Sequence, residues 1–537
     1  MSASGTKTLN TAGMYCTSDI TIDYTRPGGG SGPVEEKDVN FYDYDGTLLY
    51  SYTAVEFGNL ASLPANPTHA GLTAQGWNWT QAQINAQLAG LPGCPVIVGQ
   101  MYTPTSGATE IDITLTAPDL SPYLRVKVDS GGITIDWGDG TTPETVAYDS
   151  GVTDPRYIPH TYASAGDYTI SLTGKYAFVS SIPQQEMGIL SEGSSAPTSM
   201  KYQKCIKHLR VFTGANYSDS AFVIGSHAFG HCPNLETVTL AKEFWSTVVS
   251  PYMFEYCPSL KFLVVPTWMA GNLSANSFGS CYGLEKISLP GGITNLAGSI
   301  FVYSYWIKEF TMPYALTTIN AIGELRNVEK VFIPSGVTTL EGSSFRGFSK
   351  VKTYDLPSGL TTVGSYAFSN NTSLGSIVIP SSVTSIGGSA FRDCVCLGSV
   401  NIPSGITTIN TYTFYGCFSL SSIEIPSTVT KINDYAFYNC IAMPSITVPS
   451  SVTSIGTYAF AFSNEYSYSW GGNNARKEYH MLRTTPPTLS NKNAFDGNNS
   501  DIVIYVPYSA DHSVLNAYKT ASNWSNYATK MQEEPQP

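Results

Sequence analysis

The chain has 537 residues, too many for a single hydrophobic core, so several domains are expected. Only 13% of residues are charged and the formal net charge is −12, which excludes the clustered Lys and Arg that nucleic-acid phosphates require; no run of about 18 apolar residues offers a membrane span. With 35 Tyr the chain is not of the disordered class, which is poor in aromatics.

The first residues, Met1-Ser2-Ala3-Ser4-Gly5-Thr6-Lys7, lack the basic-then-apolar pattern of a secretory signal. That leaves a removed signal or another exit route, such as release by lysis inside a virus particle. Residues 1–26 read as a small β attachment module, with strands at Thr6–Asn10 and Ile20–Tyr24, and 27–33 as a Gly/Pro linker. Residues 34–108 read as a small mixed α/β domain. Val39–Tyr42 and Leu48–Tyr52 form a strand pair around Asp45-Gly46, a favoured hairpin turn. Gln81–Leu88 is a short helix with Thr80 as N-cap, and Val96–Gln100 is a further strand. Asp43-Tyr44-Asp45-Gly46-Thr47 resembles the nucleophile loop of haloacid-dehalogenase-like phosphatases, in which one Asp attacks phosphorus and Mg²⁺ bridges. That chemistry needs a doubly wound α/β domain with a later Lys and an acidic metal pair. This segment has no such alternation, so the motif reads as a polar hairpin turn.

Residues 109–182 alternate apolar and polar side chains: Ile111, Ile113, Leu115; Leu124, Val126, Val128; Ile133, Ile135, Trp137; Tyr168, Ile170, Leu172. Period-2 runs between turn clusters indicate a β-sandwich. Trp137-Gly138-Asp139-Gly140 with His160-Thr161-Tyr162 and Ala165–Ile170 resembles the PKD-type immunoglobulin-like domain over roughly 60 residues. Such domains are spacers or binding modules, and Trp137 and Tyr162 would pack between the sheets. Asp136, Asp139 and Asp167 are the residues that would gather for Ca²⁺; turn formation is the plainer role. Residues 183–204, rich in Ser, Gly, Pro and Met, read as a linker.

From 205 to 530 the dominant signal is a repeat. Pro334, Pro357, Pro380, Pro403, Pro426 and Pro449 fall 23 residues apart, and Phe345, Phe368, Phe391, Phe414, Phe437 and Phe460 keep the same step. Pro266, Pro290 and Pro313 extend the series upstream. In one unit Leu397, Val400 and Ile402 form a short strand that Pro403 ends, because proline cannot donate to a ladder; Ile406 and Ile409 start a second extended stretch. One unit cannot bury its apolar face, but a stack can. Cys232, Cys257, Cys281, Cys394, Cys417 and Cys440 each stand three residues after the repeat Phe and read as a column of small buried thiols rather than disulfides or metal ligands. Ile379-Pro380-Ser381-Ser382-Val383-Thr384-Ser385-Ile386 through Ala390-Phe391 and Cys394 matches the signature of the BspA-like leucine-rich repeat, and the array resembles that family. Pro486–Leu489, Asn493–Phe495, Ile504–Pro507, Tyr518 and Trp524 look like its terminal cap. The unit at Ile319–Leu325 is short by two residues. The resemblance implies a surface-associated protein that binds proteins, cells or glycans.

No nucleophile elbow, phosphate loop or zinc spacing appears, so no catalytic residue, metal or cofactor is assigned. His227 and His231 lack the Glu of a zincin motif and read as solvated turn residues. Outward positions between the strand residues form a column, Thr239, Val264, Ser288, Thr311, Phe332, Asp355, Val378, Asn401, Glu424 and Thr447, small and neutral enough for a neutral or glycan partner. Two aromatic clusters are the candidate ligand-binding residues: Tyr303, Tyr305 and Trp306, and Tyr466, Tyr468 and Trp470 in an insertion, where Tyr and Trp supply contact area at low entropy cost. The fold class is mainly β, multidomain, with a C-terminal solenoid. The front segments, Gly5–Tyr15 and Phe41–Thr47, resemble phage structural proteins of gut bacteria. The expected role is a non-enzymatic virion surface protein, bound to other virion proteins at its front and to a host-surface protein or glycan by the solenoid. No nucleic-acid or membrane partner is expected, and homo-oligomerisation suits such fibres. The alternative is a BspA-like adhesin of the bacterial cell surface.

Overall fold

The computed structural model describes residues 36–152, 155–178, 190–191, 202–212, 229–241, 253–271, 273, 275–296, 298–462, 477–495 and 502–535. The fold is mostly β, about 9% helix, with a C-terminal leucine-rich-repeat solenoid of about 11 turns. Two compact units divide it: residues 33–328 with 332–336, and residues 329–331 with 337 onward. The expected attachment module at 1–26 and linker at 27–33 lie outside the described residues.

The first unit opens with a mixed sheet. Strands β1 (Val39–Tyr42) and β2 (Leu48–Tyr52) form the expected antiparallel hairpin. Helix α1 (Ala54–Gly58) follows, then β3 (Leu72–Trp77), α2 (Gln81–Gly90) and β4 (Val96–Pro104), giving the order β2-β1-β4-β3 with β1 and β4 parallel. Both helices begin with a capping box: Thr53 and Thr80 accept from the third backbone N–H, and Glu56 and Gln83 reach back. Strand period 2 divides the apolar side chains between two layers. Val39, Phe41, Val96 and Val98 pack with Phe57, Trp77, Trp79 and Ile84, whereas Tyr42, Ile97 and Met101 pack with Phe262 and Val264 of the repeat region. β4 is therefore buried along its whole length, which its nearly continuous apolar run allows.

Next come β5 (Thr109–Leu115), β6 (Tyr123–Asp136), β7 (Glu144–Val146), β8 (Arg156–Pro159), β9 (Gly166–Ala177) and the two-residue β10 (Leu190–Ser191). The alternating residues Ile111, Ile113, Leu124, Val126, Ile135 and Ile170 are buried as expected. One feature differs from the sequence reading: Val128 and Ile133 do not flank a turn. They lie on the single bent strand β6, whose register against β9 shifts between them. The extra residues, with Gly131 and Gly132 at positive φ, bulge out, so that β6 pairs with β8 before them, with β7 after them, and with β9 on both sides.

The solenoid begins at β11 (Ile206–Val211), which pairs antiparallel with β5 on one side and parallel with β12 (Thr237–Leu240) on the other. β5 thus covers what would be an exposed edge. Arg210 reinforces the junction with Glu110 and Asp112 at 2.7 and 2.6 Å. Further rungs are β13 (Phe262–Val264), β14 (Lys286–Ser288) and β15 (Glu309–Phe310), all parallel. The short repeat keeps register through the backbone, Phe301 N donating to Ile322 O at 2.9 Å. Gly323 permits this: at φ 131 a Cβ there would lie 2.6 Å from Phe301 O.

In the second unit the more regular ladder is formed by the second extended stretch of each repeat. Thr339–Leu340 pairs with Thr362–Val363 and that with Ser385–Ile386; Thr408–Ile409, Lys431–Ile432, Ser454–Ile455 and Thr488–Leu489 pair likewise. The repeat phenylalanines stack from Phe368 to Phe460 with centroids 5.4–5.6 Å apart, and Phe495 continues the column at 5.5 Å. At its end Trp524 packs against Phe495, with ring centroids 5.8 Å apart. Trp524 is fully buried and donates to Pro487 O at 2.6 Å, Tyr518 on helix α3 (Ser513–Thr520) donates to Arg483 O at 2.8 Å, and Met531–Glu533 adds the last parallel strand to Ile502–Val506.

Candidate functional site

The cysteine column proves to be structural, and more specific than sequence suggested. Cys232, Cys257, Cys281, Cys394, Cys417 and Cys440 are free and buried. The thiols of Cys257, Cys281, Cys394, Cys417 and Cys440 donate to the carbonyls of Phe229, Phe254, Phe368, Phe391 and Phe414, each in the repeat before, at 3.0–3.3 Å. Ser304 and Asn371 stand at the same repeat position and make the same bond, to Phe278 O at 2.7 Å and Phe345 O at 2.8 Å. Burial pushes the Cys394 thiol up to about 12, so the thiolate that reactivity needs is suppressed.

The phosphatase-like motif is a hairpin turn, with Gly46 N donating to Asp43 O at 3.1 Å. The Asp43 carboxylate is buried, and accepts from Tyr102 Oη and Tyr44 N at 2.9 Å while meeting His69 Nε2 at 2.7 Å. Burial first, then that carboxylate, raises the Tyr102 phenol. Asp136, Asp139 and Asp167 each serve a local turn or partner: Gly138 N, Thr141 with His160, and Thr114. Although burial acts the other way, hydrogen bonds from Thr141 and His160 hold the Asp139 carboxyl down to about 2. Trp137 and Tyr162 are buried together, Tyr162 Oη donating to Trp137 O at 3.0 Å. Among the described residues no group of three His, Cys, Asp or Glu is placed to hold a metal. Nor is any described helix long and apolar enough to cross a membrane. His227 lies outside the described residues. His231, expected to be solvated, is instead largely covered, its ring stacked on Tyr256 at 4.7 Å.

The outward column requires a correction. Thr239, Val264, Ser288 and Thr311 are 0–5% exposed, because the chain's own mixed sheet sits on them. Ser288 Oγ donates to Ile97 O at 2.6 Å, and Ile97 N donates to Thr311 Oγ1 at 2.8 Å. Asn78 donates to Val265 O and Trp79 Nε1 to Leu289 O, at 3.0 and 2.7 Å. Gly99 lies so close over Val264 that a Cβ would come within 2.5 Å of it. Small outward side chains were read as a free face; they are small because a strand lies against them.

In the second unit the same repeat positions are open. Val378 is 75% exposed, and with Ser376, Ser399, Asn401, Ser422 and Glu424 it lines a groove of about 790 Å³. Asn401 shapes it: its amide donates to Ile379 O and accepts from Ile379 N, both at 2.7 Å, replacing the backbone pairing that stops after Ile377–Val400.

A second surface was not foreseen. Two positions per repeat, two before and two after the Phe, take left-handed backbone. At the former stand Ser299, Ser343 and Ser389, but also Tyr366, Tyr412, Tyr435 and Tyr458, at φ 53–63. Bulky residues are rare there. Tyr412, Tyr435 and Tyr458 stack at 4.8 and 5.1 Å, Tyr415 stacks on Tyr438 at 5.2 Å, and the Arg392 guanidinium lies 5.4 and 4.9 Å from the Tyr412 and Tyr415 rings. Tyr366 is 40% exposed and the others are half-buried. Burial, then Tyr412 and Tyr458, raises the Tyr435 phenol, keeping it a neutral donor. The only sequence signal was Tyr recurring at 23-residue spacing, which looks like any other surface variation.

Of the expected binding residues, Tyr303 and Trp306 are exposed by 52 and 54%. Tyr305 is half-buried, its ring 6.2 Å from Tyr303 and 4.0 Å beneath the Arg326 guanidinium, which Glu324 pairs at 2.7 Å. Tyr466, Tyr468 and Trp470 lie outside the described residues.

Comparison with known proteins agrees with the fold. The model for the BspA type leucine rich repeat region matches in six copies, over residues 202–323, 320–423 and 384–477, together just over half of the chain. Among solved structures, a leucine-rich repeat protein from Bacteroides ovatus is 19% identical, covering 76% of this chain and 99% of its own, with a TM-score of 0.47. A leucine rich cell surface protein from Faecalibacterium prausnitzii is 22% identical, covering 59% and 93%, with a TM-score of 0.34. The pneumococcal vaccine antigen PcpA is 18% identical, covering 62% and 85%, with a TM-score of 0.39. No curated protein matches the chain. The repeat signature, the stacked phenylalanines and the matched residues together establish that the chain belongs to the BspA-type leucine-rich repeat family.

Proposed function

We propose that this protein is a non-enzymatic recognition protein of the bacterial cell surface, an adhesin whose solenoid carries the binding surfaces. Members of the family are typically surface-associated, which supports the cell-surface alternative over the virion role. The segments that suggested a virion lie largely outside the described residues. The module at 109–182, similar to PKD-type domains, acts in this reading as the spacer that also covers the first rung.

The observation that carries the proposal is the tyrosine stripe. A left-handed residue with a side chain costs about 1–2 kcal/mol, and Ser fills the same position in three other repeats. Ser pays the same backbone cost, so the turn does not call for Tyr, and stacking adds only about 0.5–1.5 kcal/mol per pair. Edge-presented phenols and one guanidinium are instead what binding hot spots are made of. Exposed Tyr303 and Trp306, together with Tyr466, Tyr468 and Trp470, supply further contacts in this reading.

The test is adhesion of the labelled full chain to epithelial cells and immobilised matrix proteins, with a variant carrying Tyr412→Asn, Tyr435→Asn and Tyr458→Asn. Asn tolerates left-handed backbone, so the variant is expected to unfold within about 1 kcal/mol of the parent while adhering at least about tenfold more weakly. Equal adhesion by parent and variant removes the stripe from the binding surface.

A further inference from the structure

The groove at Ser376–Glu424 has an occupied counterpart within the same chain, and that counterpart tells what it takes. In the first unit the outward repeat positions hold strand β4 face-on. One hydroxyl, Ser288, donates to a strand carbonyl, and another, Thr311, accepts from a strand N–H. Apolar Phe262 and Val264 meet Ile97 and Met101 on alternate strand positions. At the margin Lys286 pairs with Glu36 at 2.7 Å. Glycine at position 99 lets the strand backbone approach Val264.

The open groove lies on the same two columns of repeat positions and offers hydroxyls, an apolar seat and a charge, with the hydroxyls now two residues before the outward position and the charge on it. The Ser376, Ser399 and Ser422 side chains are exposed hydroxyls; Val378 is the apolar seat, three-quarters exposed; Glu424 is the charged margin, opposite in sign to Lys286. Asn401 ties up the Ile379 N–H and C=O, so a ligand here is not recruited as an edge strand but lies across the side chains. None of the lining residues is aromatic, so the groove lacks the ring faces on which a sugar would stack.

We propose that this groove docks one extended segment of a partner polypeptide, laid face-on as β4 is, with its backbone close over Val378 and a basic residue opposite Glu424. The segment alternates apolar and small polar residues, carries a glycine where it crosses Val378, and gains its sign preference from Glu424 alone. The inference stands apart from the tyrosine stripe, which lies at other repeat positions.

Fluorescence polarisation of labelled heptapeptides against the intact full chain tests it. The peptides alternate Val and Thr around a central Gly and differ at one terminal position, Lys or Glu. The Lys peptide is expected to bind saturably and at least about tenfold more tightly than the Glu peptide. Val378→Lys, at an exposed position, is expected to abolish binding of both with an unchanged melting temperature. Glu424→Lys is expected to reverse the preference, so that the Glu peptide binds better. Three results each overturn the proposal: no binding of any peptide to the parent chain, binding indifferent to both substitutions, or equal binding of a peptide of the same sequence held out of the extended form by head-to-tail cyclisation. Saturable binding of neutral oligosaccharides that Val378→Lys abolishes, with none of the peptides, assigns the groove to glycans and also overturns it. Loss of adhesion in the stripe variant with peptide binding intact would separate the two surfaces.

Discussion

Cys394 shows how much one repeated side chain can do. Its thiol satisfies the Phe368 carbonyl, a buried acceptor that would otherwise cost about 1–3 kcal/mol. Cys394→Ala is therefore expected to destabilise the chain by about 1–3 kcal/mol, and Cys394→Ser by less, as Ser304 already makes the equivalent bond. Urea denaturation orders the two, and equal tolerance of Ala and Ser means the bond contributes nothing. The raised thiol also sets a pH dependence. An unfolded thiol ionises near 9.0, the folded Cys394 near 12. The neutral form is the one the fold favours, so this contribution is complete below pH 9 and lost as pH rises towards 12. Alkaline denaturation midpoints should rise in Cys394→Ser, whose hydroxyl does not titrate in that range; an unchanged midpoint contradicts the assignment. Asp43 is similar in kind. Asp43→Asn replaces an acceptor of three hydrogen bonds and is expected to cost about 2 kcal/mol, with no phosphomonoester turnover by either protein; turnover that depends on Asp43 overturns the structural role.

At the scale of elements, the decisive contact is β4 against the rungs. Gly99→Ala places a Cβ 2.5 Å from a Val264 methyl, and overpacking of this kind costs about 1–3 kcal/mol. Amide exchange should quicken at Val96–Met101 in that variant and stay unchanged at Phe368–Phe437. Uniform acceleration in both regions would mean that the strand is not seated on the rungs. This contact was illegible in the sequence for a physical reason: Thr239, Val264, Ser288 and Thr311 have the same small size whether water or a strand lies above them. The apolar run of β4 was read as a strand, but nothing in it states which second face it buries. The hairpin at Asp45-Gly46, the Thr80 cap and the proline-ended rungs were legible, because turn geometry, orphan N–H groups and missing donors act within a few residues.

Across the whole molecule, periodicity exposes what every repeat shares and hides what single repeats do differently. The shared part is the core, the repeat Phe and the Leu-x-x-Val-x-Ile strand, with Cys three residues after the Phe in six repeats, and it could be read position by position. The distinct parts are the candidate surfaces. Four tyrosines at left-handed positions carry no glycine to mark the turn, and the groove at Ser376–Glu424 is assembled from three repeats none of which is unusual alone. The same outward position thus differs between rungs: in one set it holds the chain's own strand, and in another, at Val378, Asn401 and Glu424, it is exposed.

Oxidative footprinting of the full chain in solution tests that central claim most directly. Hydroxyl radicals should modify Tyr366, Tyr303 and Val378 readily and leave Met101, Phe262 and Val264 protected until the chain is unfolded in urea. Modification of Met101 and Phe262 in the native protein at the rate of Tyr366 would contradict it.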